Sequence, residues 1–222
     1  DVVCLDSTRV VLSTEGGAGD YIHANWVHFD GSDRKYIATQ APMPETHEDF
    51  WRMCFEHQVA TVVSLCQDGE VEPYFPAKAG EYRNFGNMFV QNKKDEYIEK
   101  FPFHTVEVLP DGCSNSHIVN MVQYSEWPFR AIPSSARAVL RLIRLLSTID
   151  KLAKGPIVVH CLSGHGRTGT FIMIDTLIAK LFLGQSTTAA ENLKWLRNQR
   201  ASAVQTAQQY VFTVTCLFEY LK

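Results

Sequence analysis

The sequence predicts an α/β domain with a central, twisted mixed sheet flanked by helices, and three observations lead to it. The first half is rich in short β-branched and aromatic segments separated by Gly, Asp and Asn. The second half switches to apolar residues at helical spacing. Between two of those helical stretches lies a short apolar run, residues 156–160, the pattern of a buried strand feeding a helix. The chain has 222 residues, 45% hydrophobic and 20% charged, which suits a single domain around one core. No repeat, low-complexity tract or Pro/Ser linker divides residues 1–222.

The strand candidates are residues 21–27, 36–39, 60–65, 97–108 and 117–127. One helix interrupts them: Thr46 can cap it, and Phe50, Trp51, Cys54 and Phe55 recur at helical spacing. After Pro133, Ser134 and Ser135 can start a helix whose apolar stripe is Val139, Leu140, Leu142, Ile143, Leu145, Leu146 and Ile149. Residues 167–183 are apolar on nearly every side, a buried helix that Gly184 ends. Thr188 and Glu191 form a capping box for the next helix, and residues 206–221 supply the last.

Net charge is −3, so the chain carries neither a nucleic-acid footprint nor a polybasic membrane patch, and any anion site must be local. Six cysteines are scattered without a C-x-x-C pair or a close His cluster, which gives no support for a metal or other cofactor. Five of them read as free thiols of a reducing compartment, so a cytoplasmic location is expected. The longest apolar stretch, 170–183, is interrupted by Asp175 and Lys180 and is too short to span a bilayer. The chain starts at Asp1 without an initiator Met, and the expectation is an N-terminally truncated piece of a longer protein.

The chemistry-bearing element is strand, loop, helix: Val158, Val159, His160, Cys161, Leu162, Ser163, Gly164, His165, Gly166, Arg167, Thr168, Gly169. Gly164 and Gly166 allow the backbone after Cys161 to curl so that several N–H groups point inward. The helix N-terminus adds free N–H groups and the positive end of its dipole. Together with Arg167, which can give two parallel hydrogen bonds to phosphate oxygens, this makes a cradle for a dianion formed by Ser163, Gly164, His165 and Gly166. Cysteines so placed are thiolates near neutral pH as a class, which would make Cys161 a ready nucleophile, with the Thr168 hydroxyl set to hydrogen-bond its sulfur. A purely structural cysteine in a Gly-rich turn would not need two Gly, an Arg and a Thr at these spacings.

His160, Cys161, Arg167 and Thr168 resemble the signature of the classical protein tyrosine phosphatases, and the resemblance covers nearly the whole chain. Tyr21-Ile22-His23-Ala24-Asn25 is similar to the family's YINA strand. Residues 38–44 (ATQAPMP) followed by Asp49-Phe50-Trp51-Arg52-Met53 are similar to its TQGPLP…DFWRM block. Tyr74-Phe75-Pro76 resembles its YWP, and Val204-Gln205-Thr206-Ala207-Gln208-Gln209 its VQT-x-x-Q segment. The resemblance implies a protein-tyrosine-phosphatase-like fold and a phosphotyrosyl protein or peptide as partner. It also implies water positioning by Gln205 and Gln209, and a role for Asp1 in binding the substrate backbone. Leu162, Ser163 and His165 bring no lysine into the loop for a polyanionic lipid headgroup.

One departure decides the expected activity. The family's general acid is the Asp of a Trp-Pro-Asp loop, and here the stretch runs Trp127, Pro128, Phe129, Arg130, Ala131, Ile132, Pro133. Phe129 occupies the acid position and cannot donate a proton. Tyrosine leaves as a phenolate whose conjugate acid has a pKa of about 10, and a general acid contributes roughly 10²- to 10⁴-fold. The segment from Cys66 to Pro73 is shorter than the family's and lacks its Lys-Cys pair, and Ser202 stands where many members have Gly. Glu126 and His165 are the two groups that could stand in as proton donors. The expectation is phosphotyrosine binding with weak or absent hydrolysis. The alternatives are a slow but genuine phosphatase and a scaffold that does not use the pocket.

Overall fold

The structure, a computed structural model, describes residues 2–15 and 19–222. Nine strands form one sheet: β1 (Arg9–Val11), β2 (Tyr21–Val27), β3 (Tyr36–Gln40), β4 (Thr61–Ser64), β5 (Tyr82–Phe85), β6 (Met88–Ile98), β7 (Phe101–Pro110), β8 (His117–Gln123) and β9 (Ile157–Cys161), in the spatial order β1-β2-β3-β9-β4-β8-β7-β6-β5. The four central strands β3, β9, β4 and β8 run parallel, and antiparallel pairs extend the sheet at both edges. The helices are α1 (His47–Glu56), α2 (Ala136–Asp150), α3 (Gly166–Phe182), α4 (Ala189–Arg197) and α5 (Ala207–Tyr220). This is the mixed α/β architecture that the sequence predicts.

The two faces of the sheet bury separate cores. On one, Ala38, Val63, Val122 and Val159 meet the apolar faces of α2, α3 and α5. On the other, Ile37, Val62, Met121 and Val158 meet Phe50, Trp51, Met53 and Cys54 of α1. Strand side chains alternate between faces. In β9, Ile157, Val159 and Cys161 therefore belong to the α3 side, while Val158 belongs to the α1 side. A buried strand with both faces covered has no polar alternation, which is why 157–161 reads as a continuous apolar run.

Several local expectations need correction. Residues 97–108 are not one strand but the ends of a hairpin, β6 and β7, turned at Glu99 and Lys100 with φ 52° and 75°. The tight turn needs left-handed backbone at both positions, normally signalled by Asn-Gly, and Glu-Lys hides it. The strand expectations also omit β1, β5 and residues 88–96 of β6: the two edge strands are short and lack a clear alternating pattern, and charged residues interrupt β6. Thr46 precedes α1 but makes no side-chain cap; its hydroxyl bonds the backbone of Met43. Ser135 likewise precedes α2 without a side-chain bond. The Thr188–Glu191 capping box forms, and Gly184, at φ 66°, follows the end of α3.

Candidate functional site

The carboxyl ends of β3 and β9 lie in register, Gln40 beside Cys161, and the loop after Cys161 turns there into α3. Gly164 has φ 70°, and a Cβ at that position would stand 2.3 Å from the Thr39 carbonyl group. Only glycine satisfies both the left-handed backbone and the close approach to β3. Gly166 is a normal helical residue instead; its missing side chain makes room for Gln205, whose Oε1 would be 3.0 Å from a Cβ there.

Arg200, fully buried, braces this loop from outside. Its Nε donates to the Gly164 carbonyl at 2.9 Å, its Nη1 to Asn25 Oδ1 at 2.8 Å, and its Nη2 lies 3.1 Å from His23 Nδ1. Burial pulls the guanidinium down to about 10, partly opposed by nearby Cys4, Cys161 and Tyr21. Engaging a loop carbonyl on the outside leaves the loop's N–H groups available for an anion within. Nothing in the sequence around Arg200 marks this role. It becomes visible only when β2, carrying His23 and Asn25, is folded alongside.

Behind the loop stands a buried chain of polar groups. His160 Nε2 lies 2.7 Å from the Tyr74 hydroxyl, and Tyr74's carbonyl accepts a hydrogen bond from Trp51 Nε1 at 2.8 Å. Burial pushes His160 down to about 3, and the Tyr74 hydroxyl well above its ordinary value, so both stay neutral at pH 7. The Trp51 and Tyr74 motifs, far apart in sequence, thus meet directly beneath His160 and hold the residue that precedes the nucleophile candidate.

Arg167 is buried and makes two side-chain hydrogen bonds. Nη1 donates to Glu70 Oε2 at 2.8 Å and to the Trp127 carbonyl at 3.0 Å, while Nη2 is buried with no hydrogen-bond partner among the described residues. A buried guanidinium N–H without an acceptor marks a position where an anionic oxygen would be welcome. Glu70 was missed from the sequence. It lies in the segment after Cys66, where its carboxylate also accepts from the Gln67 N–H at 2.8 Å.

The acid-loop stretch closes over the same site. Trp127, fully buried, donates from Nε1 to the Ala131 carbonyl at 2.9 Å, which also accepts from Gln209 Nε2 at 3.3 Å. Phe129 is 46% exposed, and the guanidinium carbon of Arg167 lies 5.7 Å from its ring centroid. No carboxylate among the described residues shares the lining of the cavity that Phe129 helps to form.

Phe129, Ser163, His165 and Gln205 line one cavity of about 910 Å³, together with His23, Arg130, Arg197 and Ser202. His165 is 7% exposed, and its Nδ1 is buried with no partner among the described residues. Burial first, then the charges of Arg200 and Arg130, hold His165 below its ordinary range. Glu126 is exposed and is not among the residues that line this cavity. Ser202 sits at φ 58°, backbone that favours glycine.

One expected contact does not form. The Thr168 hydroxyl is buried without a hydrogen-bond partner among the described residues, so the bond to the Cys161 sulfur is not made. Gln209 is fully buried and committed: its Oε1 accepts from the Gln205 N–H at 3.0 Å and completes a capping box with Thr206 at the start of α5. Gln205 lines the cavity and Gln209 does not. Asp1 lies outside the described residues.

The chain is similar to known proteins over almost its whole length. The family described as protein-tyrosine phosphatase matches residues 1–219. The chain is 35% identical over 227 residues to receptor-type tyrosine-protein phosphatase epsilon of Homo sapiens, covering 97% of this chain and 32% of that protein. It is 33% identical to receptor-type tyrosine-protein phosphatase F of Rattus norvegicus, over 99% of this chain and 12% of the relative. It is 34% identical to the tyrosine-protein phosphatase Lar-like of Caenorhabditis elegans, over 96% and 10%. The chain therefore spans about a third or less of the length of these relatives.

Proposed function

The chain belongs to the protein-tyrosine phosphatase family, and from that premise we propose that it binds phosphotyrosyl protein through the loop from Cys161 to Arg167 while hydrolysing it weakly or not at all. The observation that carries this is the pairing of Phe129 with Arg167. An aromatic ring, not a carboxyl group, stands over the guanidinium at 5.7 Å.

In this reading Arg167 Nη2 and the loop N–H groups hold the phosphate, and Cys161 keeps the nucleophile position. Gln205 faces the space where water would attack. Leaving-group protonation is what the site lacks. The two stand-in donors are poorly suited: His165 is held below its ordinary range and is unprotonated at neutral pH, and Glu126 is outside the cavity lining. Separation of the cradle from the acid position lets binding survive when proton transfer does not.

The test is calorimetry with a phosphotyrosyl peptide and its unphosphorylated counterpart, beside single-turnover kinetics. Binding should require the phosphate and should weaken at least tenfold in Arg167→Ala, through loss of a charge-assisted contact to a dianion. Hydrolysis should run roughly 10²- to 10⁴-fold below that of an acid-bearing relative. Absence of phosphate-dependent binding would overturn the proposal in favour of a scaffold. Turnover comparable to the relative would identify the chain as a working phosphatase.

A further inference from the structure

We infer that Arg130 selects phosphotyrosyl segments carrying a second anionic group close to the phosphotyrosine; this rests on the phosphotyrosine-binding reading above. Arg130 lines the same cavity as Phe129, Ser163, His165 and Gln205. That cavity is basic in its own right. Its described lining includes Arg130 and Arg197 and no carboxylate, on a chain whose net charge is −3.

The arginines around the site differ in how they are used. Arg167 is paired with Glu70, Arg200 is spent on the loop and β2, and Arg197 is tied through Nε and Nη2 to the Ala203 and Val204 carbonyls. Arg130 is exposed and has no hydrogen-bond or ion-pair partner among the described residues. Its position is nonetheless defined. The backbone has φ 57°, the adjacent Ala131 carbonyl is held by Trp127 and Gln209, and the guanidinium carbon lies 5.5 Å from the Phe129 ring centroid. Resting against an aromatic ring reduces what the side chain loses on meeting a ligand.

Phe129 therefore contacts two guanidiniums, that of Arg167 at 5.7 Å and that of Arg130 at 5.5 Å, so the two cations are separated by no more than the sum of those distances. A bound phosphate on Arg167 would place Arg130 near the flanking residues of the peptide. An extended chain advances roughly 3.3 Å per residue, so an acidic side chain within about three residues of the phosphotyrosine can reach it. The planar fork accepts either a carboxylate or a second phosphate.

The experiment is calorimetry on the full chain with phosphotyrosyl peptides that are neutral except for one Asp, moved through the three positions on either side. A parallel set carries phosphoserine at those positions. At one or more positions the acidic group should tighten binding by about 1.5-fold to fivefold, the range of an exposed ion pair, and the gain should shrink at high salt. Equal gains from Asp and phosphoserine assign a carboxylate partner; a larger gain from phosphoserine assigns a second phosphate. In Arg130→Asn the ratio of acidic to neutral peptide should fall to about one, and in Arg130→Asp the preference should pass to a Lys-flanked peptide. Asn and Asp tolerate the left-handed backbone, and a ratio within one variant cancels any loss of folded protein. A flat profile in the unsubstituted chain, or a preference that survives both substitutions, overturns the inference alone. Failure of every phosphopeptide to bind would overturn the phosphotyrosine reading and this inference together.

Discussion

Glu70 accepts a hydrogen bond from Arg167 at 2.8 Å, so half of the buried guanidinium is occupied by the protein itself before any ligand arrives. The carboxylate sets the plane of the fork and balances a charge that is otherwise enclosed. Glu70→Ala should leave that charge with the Trp127 carbonyl alone. The expected loss of stability is about 1–3 kcal/mol, below the value for a fully buried pair because Glu70 is partly exposed. Vanadate should restore more stability to this variant than to the parent, since a bound anion replaces the missing partner. Urea unfolding with and without vanadate measures both quantities, and equal vanadate stabilisation in the two proteins would count against the pairing.

Phe129→Asp should return a proton donor to an assembled site. Activity on a phosphotyrosyl peptide should rise at least tenfold, within the roughly 10²- to 10⁴-fold range of general acid catalysis. Activity on an activated aryl phosphate, which needs no protonation, should change little. The new carboxyl would face Arg130 and Arg167, whose charges would hold it low and limit the fraction protonated. Adding Arg130→Asn should therefore raise kcat on the phosphotyrosyl peptide further. If Phe129→Asp folds, binds vanadate and gains nothing, loop geometry is the defect and the residue at 129 is not.

His160 makes stability depend on pH. Its folded-state value is pushed down to about 3 by burial, below the ordinary 6.5 it regains on unfolding. Between those values the unfolded chain binds the extra proton, so this contribution is fully present above about pH 6.5 and is lost as pH falls toward 3. The slope attributable to this one group is at most about 1.4 kcal/mol per pH unit. Urea unfolding at pH 5, 6 and 7 should show His160→Gln with a shallower loss than the parent. Parallel curves would mean that other groups carry the acid sensitivity.

The parts of the site that were legible in the sequence are those joined by short stretches of chain. Cys161, Gly164 and Arg167 lie on one strand, loop and helix, so their spacing already carries their geometry. The place of Phe129 beside Arg167 was legible because Trp127, Pro128 and Pro133 mark the loop that carries it. Glu70 and Arg200 were not, because each acts across the fold, on Arg167 and on β2, and a lone charged residue carries no sign of its partner. Gln209 shows a different limit. One glutamine three residues after Thr206 satisfies a helix cap and a family motif equally, and only its observed bonds distinguish the two uses. In the fold, helices with strong periodicity were placed within a residue or two, whereas the Glu99–Lys100 turn, which lacks glycine, was run through as strand.

The loop from Trp127 to Ala131 is held by the Trp127 indole and carbonyl and by the Ala131 carbonyl, none of which involves the side chain at 129. Position 129 is also 46% exposed. A lineage can therefore exchange the side chain there without disturbing the fold, and selection on stability is nearly blind to the change. On the function proposed above, Asp and Phe at this position would differ in chemistry and not in fold, so hydrolysis would be a trait the domain can lose, or recover, while its architecture stays under unchanged constraint.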